Sequence, residues 1–418
     1  MPDAFPQHIP AADTRTGRPG RGDAVSGRDH MMDSARNPRV TAFGPEAGWD
    51  VAVVIPAKDE QDRIESCLDA LGKAALQVPD CRTAIVVVVN NTTDATAATV
   101  QGWATRSRAD VSVLLVDHHF DAETSGVGHA RRLGLDLACA AMRGNGVLLA
   151  TDADTHVTPA WIAANMAELH EADVICGKVD AIAAEQAALP VEISRHGSAE
   201  AEYVAAALEL AALLDPRPHD PHPAHHNAAG ASLGFTRSVL AAVGGMPTLS
   251  IGEDRAFVER AEALDYRVRY SDRPVVRTSC RMVGRTSGGM AGALRDRRDL
   301  PDPPCDEWLE PARTFHLRHA LRGALRQVWP VGARVADVLV RHLGAEHALR
   351  CAADTQYFGQ FFQMIEAGSA QLRRVRLCQS DCRRELPALQ RLLADVRKDR
   401  LLAVRPFRHI RSSALAGQ

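Results

Sequence analysis

Four short apolar runs, separated by stretches of helical periodicity, constrain this chain more than any other feature. They are Val51-Ala52-Val53-Val54-Ile55, Ala84-Ile85-Val86-Val87-Val88-Val89, Val111 to Val116, and Val147-Leu148-Leu149. Runs of this length without polar alternation read as strands buried on both faces, which is how strands of a parallel sheet look. Between them, Ile64, Leu68 and Leu71 recur at helical spacing, Ala95 to Thr105 follows good N-cap chemistry, and Val127 to Met142 reads as a third helix. Strand and helix alternate with short joins, so the chain is expected to form βαβ units with helices on both faces of a mostly parallel sheet. Pro56 is expected to end the first strand.

The fourth run stops abruptly in Asp152-Ala153-Asp154. Open α/β sheets bind ligands at the carboxyl ends of their strands, which is where this pair falls. Two aspartates there suit a hard divalent cation that shares its coordination sphere with water and substrate phosphates. Taken alone, an Asp-x-Asp is more often a turn that caps the next helix, so the remaining motifs decide between the two.

Further along, Thr158-Pro159 opens a helix to about His170, Val174 to Gly177 is a short strand, and residues 198 to 214 form an Ala- and Leu-rich helix. A Pro- and His-rich loop with His219, His222, His225 and His226 follows, then a short helix at Arg237 to Val243 and a helix opened by Gly252-Glu253-Asp254. Tyr266 to Tyr270 and Pro274 to Thr278 look like two late strands. From Trp308 onward the pattern is helical without clear strands. Residues 1–48 are rich in Pro, Gly, Arg, Asp and Ser and cannot bury enough apolar surface to offset ordering entropy. Three regions are expected: a disordered tail over 1–48, an α/β domain over 49–295, and a mainly helical region over 296–418.

Several function classes are excluded. The net charge of −3 supplies no global field toward nucleic acid. Only four of the 49 basic residues are lysines, which reads as a coding bias toward arginine. No segment approaches the roughly 20 apolar residues of a membrane span, the first thirty residues lack the apolar core of a signal peptide, and the nine scattered cysteines include no Cys-x-x-Cys pair. A soluble, cytoplasmic protein is expected. No glycine follows the first strand, so the dinucleotide fingerprint is missing, and neither a P-loop nor a Gly-x-Ser-x-Gly elbow occurs.

Five stretches in order resemble the family 2 glycosyltransferases, enzymes of the GT-A fold that use nucleotide-diphosphate sugars. They are Val53 to Glu60, Val87 to Thr96 (with its Thr93-Asp94-Ala95-Thr96 ending), Gly128-His129-Ala130-Arg131-Arg132-Leu133-Gly134, Asp152-Ala153-Asp154, and Gly252-Glu253-Asp254. The resemblance covers about residues 50 to 290. It implies a Rossmann-like sheet, a nucleotide-sugar donor, an acceptor hydroxyl, and Mg2+ or Mn2+. On this basis Asp154 lies closest to the metal and Asp152 nearer the ribose. Pro56, Glu60, Asn90 or Asn91, Asp94 and Arg131 (or Arg132) face the nucleotide.

The Glu253-Asp254 pair would supply the general base, with Asp254 favoured; a carboxylate of moderately raised pKa can take the acceptor's proton as the oxygen attacks. Direct displacement of this kind inverts the anomeric centre. His225 or His226 is expected on the acceptor side. Arg281 or Arg285, in a glycine-rich basic loop, is expected to counter the diphosphate. A third metal ligand is not assignable. The Gln-x-x-Arg-Trp motif of processive synthases is missing, which points to transfer of a single sugar. Two rivals remain: a sugar-phosphate nucleotidyltransferase, which would need a glycine-rich turn after the first strand, and a non-catalytic scaffold of the same fold.

Overall fold

A computed structural model describes residues 37–107, 111–284, 289–344 and 355–404. Nine strands form one sheet: β1 Arg39–Phe43, β2 Trp49–Ala57, β3 Thr83–Asn90, β4 Ser112–His118, β5 Met142–Ala150, β6 Thr155–Val157, β7 Val174–Ala181, β8 Leu233–Thr236 and β9 Val268–Thr278. The helices are α1 Ile64–Ala75, α2 Thr96–Arg106, α3 Val127–Ala141, α4 Trp161–Glu168, α5 Ala183–Ala187, α6 Val191–Leu214, α7 Arg237–Val243, α8 Glu253–Ala263, α9 Met290–Asp299, α10 Ala312–Val328, α11 Gly332–Leu343, α12 Phe358–Gly368 and α13 Gln379–Val404.

The strand order is β1-β4-β3-β2-β5-β8-β7-β9-β6. The four apolar runs form the parallel block β4-β3-β2-β5, with Val53 opposite both Ile85 and Leu149. Alternate side chains of each strand enter opposite layers. Val54, Val86, Val88 and Leu148 pack under α3, α7 and α8, whereas Val53, Ile55, Val87 and Leu149 pack under α1, α2 and α4. Full burial of such side chains stabilises by about 1.5–3 kcal/mol each, which is why the runs contain a single polar residue, Ser112. Gly134 lets α3 lie close on the sheet, because a Cβ there would sit 2.5 Å from a methyl of Val54.

Beyond β5 the sheet becomes mixed: β8 is antiparallel to β5 and β7, and β9 is parallel to β7. Three expectations are corrected. Pro56 does not end β2, which continues to Ala57; β5 has its last partner, Ala150, opposite Val54, so position 56 can do without an N–H on that flank. The two late strands are one, β9, whose register against β7 jumps from Gly177↔Ser271 to Lys178↔Val275, so Asp272 to Pro274 bulge out between them. Order in the sheet also starts before Trp49. Arg39–Phe43, inside the expected tail, forms an exposed edge strand antiparallel to β4. An edge strand with one polar face carries little apolar signal.

The helical region shares its core with the α/β domain. Tyr203, Ala207 and Leu210 of α6 pack against Phe315 of α10 and Leu389 and Leu393 of α13. Leu321 and Leu325 on the same α10 pack against α11 and α12. Among the described residues no helix is long and apolar enough to cross a membrane.

Candidate functional site

β5 ends at Ala150, and the next residues are pinned from three sides. Thr151 donates its amide to Val54 O (3.2 Å) and its hydroxyl to Ala231 O (2.8 Å), and Thr155 pairs with Thr278 on β9. Asp152 and Asp154 therefore stand on a fixed turn at the carboxyl end of the parallel block, next to the loops that leave β2 and β3.

Two arginines hold this acidic turn. Arg131, from the first turns of α3, is almost wholly buried. One of its terminal nitrogens donates to Asp152 Oδ1 at 2.6 Å and the other to Glu253 at the start of α8. Burying a guanidinium costs several kcal/mol unless it is paired, and these two carboxylates supply the pairing. Gly230 crosses directly over it; a Cβ there would lie 2.5 Å from the guanidinium nitrogens. The Gly230 amide donates to Asp254 Oδ2 at 2.6 Å, while Asp254 Oδ1 accepts from the Arg255 amide at 2.8 Å. Asp254 is half-buried and held by backbone; Glu253 is sealed against Arg131.

On the other side of the turn, Arg281 bridges Glu60 and Asp154, with an Arg281 Nη1 to Glu60 Oε2 distance of 2.8 Å and an Arg281 Nη2 to Asp154 Oδ2 distance of 3.1 Å. Burial, reinforced by Asp152, pushes the Asp154 carboxyl up to about 6, with Arg281 opposing. Burial also raises Asp152, against the pull of Arg131 and with Asp254 and Glu60 adding to the rise. Asp152 and Asp154 thus carry a burial cost, to which neighbouring carboxylates add, that the two arginines do not fully offset.

The loop residues expected at the nucleotide lie at the ends of β2 and β3, and much of their polarity is spent on the chain itself. Asp94 Oδ1 accepts from the amide and hydroxyl of Thr96 (2.9 and 2.5 Å) and Oδ2 from the Gln61 amide (3.1 Å). Asn91, at φ 49°, exchanges two hydrogen bonds with the Phe120 backbone. Asn90 is buried at the end of β3, and Pro56 is buried inside β2. These residues shape the crevice wall as much as they line it. Arg285 lies outside the described residues.

His225 and His226 lie elsewhere, on a cavity of about 470 Å³ bounded by the end of α6, one side of α8, Trp308, α10 and α12. The His226 ring stacks on Trp308 with centroids 4.7 Å apart, and His225 meets the edge of Tyr270. Burial lowers both histidines, which favours their neutral forms. Arg255, next to Asp254, also lines this cavity, as does Ala228, two residues before Gly230. The contribution of Trp308, His319, Arg322 and Arg374 was invisible in the sequence, because no periodicity or motif ties the C-terminal helices to a loop a hundred residues earlier.

Among the described residues no group of three or more His, Cys, Asp or Glu side chains is placed to hold a metal. The Asp152–Asp154 pair nonetheless fits a divalent cation that takes its other ligands from water and diphosphate: both donors are hard oxygens, and both are buried carboxyls raised by their surroundings, a cost that a cation would relieve.

The acidic turn thus lies where the sheet switches from parallel to antiparallel strands, with Glu253 and Asp254 beside it at the start of α8. Residues 52–209 match the family model described as Glycosyl transferase family 2, so this stretch of the chain is a glycosyltransferase domain of that family. No curated protein matches the chain. Among solved structures, the chain is similar to a mannosyltransferase, PcManGT from Pyrobaculum calidifontis in complex with GDP-Man and Mn2+ (18% identity, TM-score 0.40, 86% of this chain and 89% of that one). It is similar also to TarS of S. aureus in complex with UDP-GlcNAc (16%, 0.38, 70% and 72%). A third is glucosyl-3-phosphoglycerate synthase from Mycobacterium tuberculosis with Mn2+, UDP and phosphoglyceric acid (16%, 0.37, 61% and 79%).

Proposed function

We propose that the protein is a metal-dependent, inverting glycosyltransferase that moves a single sugar from a nucleotide-diphosphate donor to an acceptor hydroxyl. The observation that carries this reading is the pair of separately held carboxylate sites, Asp152/Asp154 and Asp254, joined through Arg131 and Glu253. The nucleotide lies along the ends of β2 and β3, beside Glu60, Asn90, Asn91 and Asp94. Asp154 and Asp152 hold the divalent cation, Mg2+ or Mn2+, which supplies Lewis-acid neutralisation of the departing diphosphate when bound.

Asp254 is the general base. Its carboxylate is oriented by the Gly230 and Arg255 amides and stands next to the cavity, so it can take the acceptor proton as the oxygen attacks the anomeric carbon. Glu253 has a different part: paired with buried Arg131, it fixes the guanidinium that positions Asp152. His225 and His226 line the acceptor cavity. Arg281, between Glu60 and Asp154, is placed to counter the charge of the diphosphate.

The test is thermal denaturation with UDP, GDP and dTDP, each with and without Mn2+. Stabilisation by one diphosphate only when metal is present is the expected result and identifies the donor base. No response to any of the three would leave the domain as a scaffold.

A further inference from the structure

The cavity that carries His225 and His226 has an unequal distribution of charge. Near its mouth, Arg255 is met by Glu307 at 2.8 Å and Asp306 at 3.6 Å. At the wall formed by α10 and α12, the carboxylates are taken up elsewhere. Arg217 holds both Asp220 (2.5 Å) and Glu262 (3.1 Å). Arg318 holds Glu310 through two bonds and also Glu366. Asp215 is gripped by Arg326 at 2.8 and 3.1 Å.

Arg322 and Arg374 are left over. The nearest carboxylate to Arg322 is Asp215 at 3.6 Å, already held by Arg326, and Arg322 Nε is buried with no hydrogen-bond partner among the described residues. Arg374 lies 3.9 Å from Glu366, already held by Arg318, and otherwise donates only a long bond of 3.3 Å to Trp308 O. His319 sits among them and is driven well below its ordinary range by burial and by Arg322, Arg318, Arg217 and Arg374. His226 Nε2, across the cavity, is also buried with no hydrogen-bond partner among the described residues, its nearest carboxylate oxygen being Asp306 Oδ1 at 4.0 Å. Buried polar groups left unmade, here Arg322 Nε and His226 Nε2, cost on the order of 1–3 kcal/mol each, which an acceptor of hydrogen bonds in the cavity would offset. Arginine suits carboxylate and phosphate in particular, through paired N–H groups in one plane. Of the carboxylates that line the cavity, most are paired with the arginines named above; Glu259 is the one that such a ligand must share the cavity with outside those pairs, and burial raises it toward its neutral form.

We propose that the acceptor is itself anionic: a hydroxylated molecule whose carboxylate or phosphate is held by Arg322 and Arg374 beside His319, with its neutral body against Trp308 and His226 and its hydroxyl toward Asp254. This rests on the glycosyl-transfer reading for the direction in which the molecule lies, whereas the anion seat rests on the cavity alone. The seat is formed by the C-terminal helices, which gives them a part in acceptor choice.

The test uses the full chain and matched probes: glucuronate and glucose 6-phosphate, each against glucose, titrated by ligand-observed NMR. Expected is at least tenfold tighter binding of one anionic probe than of glucose. That preference should fall to less than threefold in Arg322→Gln/Arg374→Gln. Half-exposed Arg374 also allows a single Arg374→Gln variant, expected to lose part of the preference should the double variant fold poorly. Equal binding of charged and neutral probes, binding of none, or a preference untouched in the variants would overturn the proposal. Preference for glucuronate alone or glucose 6-phosphate alone assigns the anion. The nucleotide–metal response of the same preparation is read alongside. If it is missing while the anion preference is present, glycosyl transfer fails and the anion seat stands.

Discussion

The proposed donor crevice and the proposed acceptor cavity are built on opposite plans. The crevice is made by residues that follow strand ends, β2, β3 and β5, so each motif is local in sequence and the sheet brings the motifs together. Its charge is concentrated and negative, tied down by two arginines that each bridge two carboxylates. The cavity is made by elements more than a hundred residues apart, and its surplus donors are arginines and neutral histidines. One side is thus suited to a cation and a diphosphate, the other to a molecule that brings its own anion. The two meet at the start of α8, where Glu253 belongs to the crevice, Arg255 lines the cavity, and Asp254 stands between them.

The sharpest way to break this division is to remove charge at the meeting point. Asp254→Asn keeps the shape and the Gly230 contact but cannot accept a proton. Transfer is expected to fall by roughly 10²–10⁴-fold, the usual contribution of a positioned general base. Metal-dependent stabilisation by the nucleotide should remain. Asp154→Ala is expected to do the reverse to binding and abolish the metal-dependent part of the nucleotide shift. Full transfer in Asp254→Asn would remove the base from the scheme.

Next in size is the bridge itself. Arg131→Met leaves Glu253 and Asp152 without their buried partner, and breaking a buried pair from one side costs about 3–5 kcal/mol. Chemical denaturation should show that loss. The companion variant Arg131→Met/Glu253→Gln should recover much of it, because the stranded charge is gone. A loss below about 1 kcal/mol, within the range of surface ion pairs, would mean that crevice and cavity are not mechanically joined through this residue.

What the sequence made legible follows the same division. The four apolar runs and their intervening helices were readable because a strand buried on both faces can hold only apolar residues. Asp152, Asp154 and Asp254 were readable as candidates because they stand in short, local patterns at strand and helix ends. The Arg131–Glu253 contact spans 122 positions and leaves no local trace. Nor does Asp94 show, from sequence alone, that its oxygens brace the turn after β2 as well as the start of α2. The cavity was the least legible part: its histidines stood out, but the arginines that give it character belong to amphipathic helices whose charges look like solvated faces.

The acidity of the crevice gives a pH signature that the cavity should not share. Asp154 is raised from near 3.8 to about 6 in the folded protein by burial and by Asp152. A carboxyl raised on folding takes up a proton when the chain folds. Its favourable contribution to stability is therefore complete below about pH 4 and lost as pH rises through 6. A cation needs the ionised form, so metal affinity is expected to be flat above pH 7 and to fall toward tenfold per unit below pH 6. Metal titration followed by calorimetry from pH 5 to 8 checks this. Affinity that stays flat down to pH 4.5 would show an unperturbed ligand and detach Asp154 from the cation.

The smallest effect expected is at the aromatic floor of the cavity. Trp308 stacks on His226 and touches Phe315 edge-on, so Trp308→Ala removes one wall while leaving the β-sheet intact. Stacked aromatic contacts contribute about 0.5–1.5 kcal/mol beyond their burial, so the acceptor KM should rise by roughly two- to twelvefold. The donor KM should stay within twofold, because no residue of the crevice touches Trp308 among the described contacts. Equal rises in both constants would show that the two regions are one site, with the C-terminal helices closing over donor and acceptor alike.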